Sequence, residues 1–460
     1  MAQEELHRGF GLSTSTYIVI ASMVGTGILV SPGFMMVTLQ SYPVIFGLWI
    51  LGGLLALCGA LCVAELAAAL PRAGGEYVYL REAYGPMPAF LSGWTSFILG
   101  FSAPLAVAGH VAAKYLLAPF GQGEQTGDFV TKALAAGIIV LLTLPNLVGH
   151  RQSAWTQSLT TLLKIGLFVT LIALAFLFGQ GQWSHLSAGR PIGEIGLGDI
   201  ATQLFYVMFA YSGWNAASYM AGEVKDPGRT LPRSLLLGTA LVTVLYLALN
   251  LVFAYAVPLT AVGFDNAMQV PTLAVENLFG ARASSVFSIL LGLAFLSTVS
   301  AFVITGPRIY YAMAKDGLFP SVAGRVSAKG GVPVYAMIAQ SVCAIVILFL
   351  TDFENLYRYA SVGLSIFALL FIAAVYVLRW RQPNMARPFR VIGYPVVPGL
   401  FLATILFMTV FAFKQWPKPS IYSLASILAG IPIYYLWSMG NKPKKLETTN
   451  DANNAKKKQF

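Results

Sequence analysis

Apolar runs of about 18 residues or more, the length that crosses hydrocarbon, alternate with short polar connections along the chain. Twelve can be counted, near residues 12–38, 43–70, 86–118, 129–147, 154–178, 199–222, 231–257, 284–313, 333–351, 357–379, 395–415 and 420–438. Each reads as a membrane-spanning helix. The first follows the polar stretch Met1 to Arg8 and is too long and too glycine-broken for a cleavable signal peptide, so it reads as a retained span.

Two of the runs are interrupted at mid-depth, run one by Gly25-Thr26-Gly27 and run six by Phe209-Ala210-Tyr211-Ser212-Gly213-Trp214-Asn215. In hydrocarbon every backbone N–H and C=O needs a protein partner, so a spanning helix opens only where the freed groups line a buried or wet cavity. Matching breaks in two halves of a chain point to a transport site. Gly25 and Gly213 stand 188 residues apart with five runs per half, which inverts the second half relative to the first. The expected organisation is an amino-terminal segment 1–10, a first repeat 11–178, a second repeat 199–380, runs eleven and twelve over 395–438, and a basic tail 439–460.

Composition supports the same class: 57% hydrophobic residues, 10% charged and a mean hydropathy of +0.71 are incompatible with a soluble domain, where roughly 25% of residues are charged. With the amino terminus inside, 21 of the 29 Lys and Arg residues fall on the cytoplasmic side and seven outside, with Lys164 within a span. That bias follows the positive-inside rule and puts both termini in the cytoplasm. The +11 net charge then belongs to topology and to the tail from Lys442 to Phe460, which reads as a solvated, lipid-proximal segment rather than a nucleic-acid binder.

Several functions are excluded by what is missing. Cys58, Cys62 and Cys343 all lie in spans, where they act as small apolar residues, so no disulfide-linked heavy subunit is expected. His7, His110, His150 and His185 are scattered, and no zinc spacing or nucleotide loop is present. No cofactor, metal or ATP-driven step is implied. A membrane enzyme would need a convergent nucleophile and base, and a channel would more naturally use oligomeric filter loops.

Six motifs in order carry a resemblance over nearly the whole chain: Val24-Gly25-Thr26-Gly27-Ile28 followed by Ser31-Pro32; Pro71-Arg72-Ala73-Gly74-Gly75-Glu76-Tyr77; Phe90-Leu91-Ser92-Gly93-Trp94; Lys164; Phe209 to Asn215 with Gly222-Glu223-Val224-Lys225-Asp226-Pro227; and Ala314-Lys315-Asp316-Gly317. The chain resembles the amino acid–polyamine–organocation superfamily, closest to its L-type amino acid transporter branch. The resemblance implies an all-α membrane protein of twelve transmembrane helices, a five-plus-five inverted repeat with unwound first and sixth spans, the LeuT-like fold.

Such breaks make a holder for a zwitterion. The half-helix that restarts after Gly25-Thr26-Gly27 offers free N–H groups and the positive end of its dipole to a carboxylate. Thr26 adds a hydroxyl, and Gly27 is expected to let a ligand approach the backbone. Free carbonyls near Met23 and near Phe209, Ala210 and Ser212 would attract an ammonium, and the family implies the same assignment. Taken alone, Gly25 and Gly27 read equally well as close helix-packing positions; Ser212-Gly213 in the matching run favours the holder. Phe209 resembles the family's aromatic gate; Trp214 and Asn215 follow on the unwound stretch, Asn215 either touching ligand or bracing the strand. Gly100 in run three leaves room beside the holder.

Lys164 is the only basic residue near the centre of a run, a costly position that usually marks function. Its expected acceptors are the freed carbonyls of run one around Ala21 to Val24, with Ser297 or Thr298 of run eight. In sodium-coupled relatives of the fold an ion fills that space, so the resemblance implies sodium-independent transport, with Lys164 as tether or as proton-coupling group. Glu65 and Glu223 read as helix-end partners of Arg72 and Lys225, and His110 as a packing residue.

Runs one, three, six and eight carry no carboxylate at mid-depth. That favours neutral L-amino acids, moved across the plasma (inner) membrane by alternating access as exchange or proton coupling. The bundle of runs one, two, six and seven would rock against the rest, hinging at Gly25 and Gly213. Alternative readings are a permease for cationic or modified amino acids such as sugar–lysine conjugates, because Tyr219 to Glu223 and Met313 to Phe319 resemble those permeases, and an amino acid sensor of the same fold, which would usually carry a longer extension. The partners implied are the substrate and the lipid bilayer, with the oligomeric state open.

Overall fold

The computed structural model describes residues 8–120, 128–147, 150–327, 331–350 and 353–440. His7, Lys329 and the basic tail lie outside the described residues, as do the side chains of His150 and Arg151.

The described residues form helices joined by turns, with no strand beyond two isolated bridges, Phe10 with Val224 and Ser41 with Gly189. The first half runs α1 (Leu12–Met23), α2 (Gly27–Leu39), α3 (Tyr42–Ala69), α4 (Glu76–Tyr84), α5 (Pro86–Thr95), α6 (Ala103–Leu117), α7 (Asp128–Asn146) and α8 (His150–Phe178). The second runs α9 (Leu197–Ala210), α10 (Ala216–Tyr219), α11 (Pro227–Ala256), α12 (Val270–Phe279), α13 (Ala281–Thr305), α14 (Pro307–Lys315), α15 (Val334–Leu350) and α16 (Phe353–Arg381), followed by α17 (Val396–Gln415) and α18 (Pro417–Gly440). Ten of the described helical stretches are long and apolar enough to cross a membrane; α9 and α15, at the places of runs six and nine, are apolar but shorter. The sixth is short because it opens after Ala210.

The halves match in their connections as well as their breaks. Between spans two and three lies the short helix α4, and between seven and eight lies α12. Each stops at a glycine with positive φ, Gly85 at 95° and Gly280 at 86°, a conformation costly for residues with a Cβ. The next helix then starts at once, at Pro86 and at Ala281.

The core is assembled by α1 and α3 against α11, α2 against α9, and α6 against α13. In lipid the hydrophobic effect does not draw helices together, so close van der Waals packing must. Gly52, Gly59 and Gly238 accordingly lie against the side chains of Val207, Trp214 and Val19.

Buried charges at the arginine-rich end are paired across elements, not along one helix as the sequence suggests. Glu65, 1% exposed, is held by Arg379 at 2.6 Å and Arg387 at 3.4 Å and accepts from the Val391 amide at 2.7 Å. It therefore ties α3 to α16 and the segment after it, rather than pairing with Arg72. Glu223 meets Arg308 of α14 at 3.1 Å rather than Lys225. Asp316 takes Arg81 of α4 and the Tyr77 hydroxyl. The amides of Gly9 and Phe10 donate to the Glu223 carbonyl, and Lys225 N donates back to Phe10 O, so the start of the described chain is clipped to the end of span six. A carboxylate in water-poor surroundings needs a partner from whichever element can reach it, and helix-adjacent pairing is too exposed to compete.

Removing one partner of a buried ion pair costs about 3–5 kcal/mol. Glu65→Ala, which strands two arginines and an amide, is expected to lower the melting temperature of the detergent-purified protein more than Arg379→Ala, whose side chain is 22% exposed and leaves Glu65 still held by Arg387. Thermal unfolding of both variants beside the parent checks the order.

Candidate substrate site

Helix α1 ends at Met23, where Gly25 N turns back onto the Met23 carbonyl at 2.7 Å. Helix α2 restarts at Gly27 with no side-chain cap, so its first amides and its dipole meet no capping side chain. In the sixth span the helix ends at Ala210, Ser212 N donates to Phe209 O at 2.9 Å, and Gly213 at φ 99° turns the chain before α10. A Cβ on Gly213 would lie 2.7 Å from the Ser22 carbonyl carbon. The two breaks are therefore in direct backbone contact.

They are joined by a residue the sequence did not single out. The buried Tyr246 hydroxyl of α11 lies 2.6 Å from Met23 O and 3.0 Å from Ala210 O. Its ring packs on Trp49 and Tyr211. Beside it, Lys164 Nζ donates to the Val24 carbonyl, and to Thr298 Oγ1 at 3.1 Å, linking α8 to the first break and to α13. Ser297 turns to its own helix, donating to Ala294 O.

A cavity of about 160 Å³ opens beside the breaks. Of the sequence-selected residues, Gly100, Phe209, Ser212, Trp214 and Asn215 line it, together with Ser22 and Gly213. Met23, Gly25, Thr26, Gly27 and Ala210 do not: they stand behind the wall, all buried. The reason is packing. A Cβ on Gly27 would lie 2.3 Å from Ala210 Cα, so this glycine serves the approach of α2 to α9 and not, as its sequence setting suggests, that of a ligand; Met23 and Ala210 carbonyls face Tyr246. Gly25 differs, with nothing nearer than 3.5 Å.

Phe209 packs on Tyr357, ring centroids 4.2 Å apart, and Tyr357 continues through Tyr206 to Phe34 as a stack. Asn215 donates to the Tyr219 hydroxyl at 3.2 Å, bracing the unwound stretch. Gly100 sits within a π-helical stretch, Ser96–Ser102, that opens span three toward the cavity; such irregularities recur at functional sites.

The other residue sequence reasoning missed is Glu76. It begins α4 yet lines the cavity, 7% exposed, accepting from Ser96 Oγ at 2.8 Å. Burial pushes its carboxyl up to about 7, against a smaller downward pull from the hydroxyls of Ser96 and Ser92. The Gly-Gly-Glu-Tyr motif flagged the region, but a loop residue gives no sign that its helix dips into a cavity. Among the described residues no group of three or more His, Cys, Asp or Glu side chains is arranged to hold a metal.

The model of a family described as amino acid permease matches residues 10–437. The chain is similar to the b(0,+)-type amino acid transporter 1 of Mus musculus, 28% identical over 438 residues that cover 94% of this chain and 88% of the relative. It is also similar to the large neutral amino acids transporter small subunit 2 of Oryctolagus cuniculus, 29% identical over 449 residues, 95% of this chain and 82% of the relative.

Two expectations follow from the geometry. Gly27→Ala forces α2 off α9, and overpacking of this kind costs about 1–3 kcal/mol; its melting temperature should fall, whereas Gly25→Ala should melt near the parent, as measured by thermal unfolding in detergent. Lys164→Ala strands the Val24 carbonyl and is expected to abolish uptake at every external pH between about 5.5 and 8.5. Unchanged uptake of labelled alanine or leucine in liposomes would remove both the tether and the proton-coupling roles.

Proposed function

We propose, given that the chain belongs to the amino acid permease family, that it is a multi-pass membrane transporter that moves neutral L-amino acids across the plasma membrane without sodium, by alternating access. The observation that carries this reading is the contact of the two helix breaks beside a cavity lined in large part by apolar side chains, among them Phe205, Met208, Leu364, Phe371, Ile405 and Met408. An α-amino acid presents the same ammonium and carboxylate whatever its side chain. Ser22, Ser212 and the backbone around Gly213 offer oxygens for the first, and the uncapped start of α2, which stands behind the cavity wall, would offer amides for the second once that wall opens. The apolar lining takes the side chain.

Lys164 supports independence from sodium. A fixed ammonium between the first break and α13 supplies there the positive charge that an ion would otherwise bring. Phe209, backed by the Tyr357 stack, is suited to close one end of the cavity. The Arg308–Glu223 and Arg81–Asp316 pairs are suited to close the other, since each joins a moving segment to a stationary one. We assign both termini to the cytoplasm, because the arginines and lysines concentrate at that end. The driving gradient is then another amino acid or a proton.

Purified protein in liposomes tests the reading. Uptake of labelled alanine or leucine is expected with choline replacing sodium, and to be competed by neutral L-amino acids more strongly than by sugar–lysine conjugates. Uptake only into vesicles preloaded with amino acid assigns exchange; uptake into unloaded vesicles driven by an inward pH gradient assigns proton coupling. Binding without any flux in either condition would instead favour a sensor, and a strict sodium requirement would overturn the role given to Lys164.

A further inference from the structure

Glu76 is not used by the zwitterion holder, and its setting is unusual. Among the described residues it supplies the only carboxyl in the lining of the cavity and has no ion-pair partner. The Ser96 hydroxyl donates to it, and Ser96 stands one helical turn before Gly100, the position that opens span three. Tyr219, whose ring packs against Gly75, lines the same cavity and is held by Asn215 of the unwound stretch. The carboxyl therefore shares one cavity with Ser22 and Ser212 of the two breaks.

The other titratable groups around it do not neutralise it. Tyr79 comes from α4 itself, Tyr219 from α10 and Tyr310 from α14, all three buried phenols. Arg81, one turn along α4, is engaged by Asp316. From α16, Arg381 reaches the far end of α4 at the Ala83 carbonyl, and Gln382 meets Glu82 there. Arg308 is taken by Glu223. A carboxyl so placed has two ways to avoid an uncompensated charge: to hold a proton or to meet a cation brought in by ligand.

We propose that Glu76 selects the charge of the substrate's side chain, admitting neutral amino acids when protonated and pairing with the ammonium or guanidinium of a basic amino acid when ionised. This rests on the amino acid reading of the cavity above and extends its substrate class. The α-amino and carboxylate groups stay at the breaks, and the basic arm of the side chain meets Glu76 in the same cavity. No net charge is then added to the cavity in either case, because a neutral substrate travels with the carboxyl's proton in place and a cationic one with that proton released.

The sign of the pH effect follows. Burial holds Glu76 protonated up to about 7, so its ionised fraction is small at mildly acid pH and nearly complete at mildly alkaline pH. Competition of labelled leucine uptake by lysine or arginine, measured in liposomes at equal internal and external pH, is expected to strengthen on the order of tenfold from about pH 5.5 to pH 8.5, while competition by alanine changes little. In Glu76→Gln the ratio of basic to neutral competition should be flat across that range and equal to the parent's acid-side value. Ser96→Ala removes a hydrogen bond that favours the ionised form and should move the midpoint of the parent's transition to higher pH.

Three results would overturn the proposal: no competition by basic amino acids at either pH in the parent, the same pH-dependent competition in Glu76→Gln, or an unshifted midpoint in Ser96→Ala. Should Glu76→Gln not fold, Ser96→Ala with the parent still decides. Failure of the amino acid reading itself is distinct, since then labelled leucine would not enter the parent liposomes at all.

Discussion

Where α1 stops at Met23 and α9 stops at Ala210, backbone carbonyls are released in a region where hydrocarbon offers them nothing, at a cost of several kcal/mol each. The middle of the molecule is organised around that need. Tyr246 faces both carbonyls from α11, Lys164 takes the Val24 carbonyl from α8, and Gly213 brings the second break onto Ser22 of the first. Helices of both halves are thereby drawn to one point. The cavity is what remains beside it, lined by the unwound stretch, by apolar side chains and by the Glu76 carboxyl.

The same rule governs the arginine-rich end in the language of charge. Glu65, Glu223 and Asp316 are each met by arginine from a distant element. Two of these pairs, Arg308 with Glu223 and Arg81 with Asp316, involve α14 and α4, the short helices that follow spans eight and two. Pairs of this kind hold firmly when buried and loosen once water arrives, which is the behaviour a closing surface requires.

The breaks at Gly25 to Gly27 and Phe209 to Asn215 were legible because glycine and small polar residues weaken an apolar helix unless they open it or let a neighbour come close. Lys164 was legible for a related reason, a charge where hydrocarbon tolerates none. What escaped were residues whose meaning depends on a partner far away in sequence. Tyr246 is an ordinary aromatic in an apolar run until α11 lies against both breaks. Glu76 is an ordinary loop carboxylate until α4 folds under the cavity. Gly27 misled in the opposite direction: its smallness serves the contact with Ala210, because no local pattern distinguishes a glycine that yields to a ligand from one that yields to a neighbouring helix.

A phenol has one hydrogen to give, and Tyr246 stands between two oxygens, at 2.6 and 3.0 Å. At any instant it is bonded to one and merely adjacent to the other. A shift of one break against the other by a fraction of an ångström would let the hydrogen pass from Met23 O, which also accepts from Gly25 N, to Ala210 O. The residue would then act as a swivel, joining the two broken helices beside the cavity while opposing such a shift only weakly.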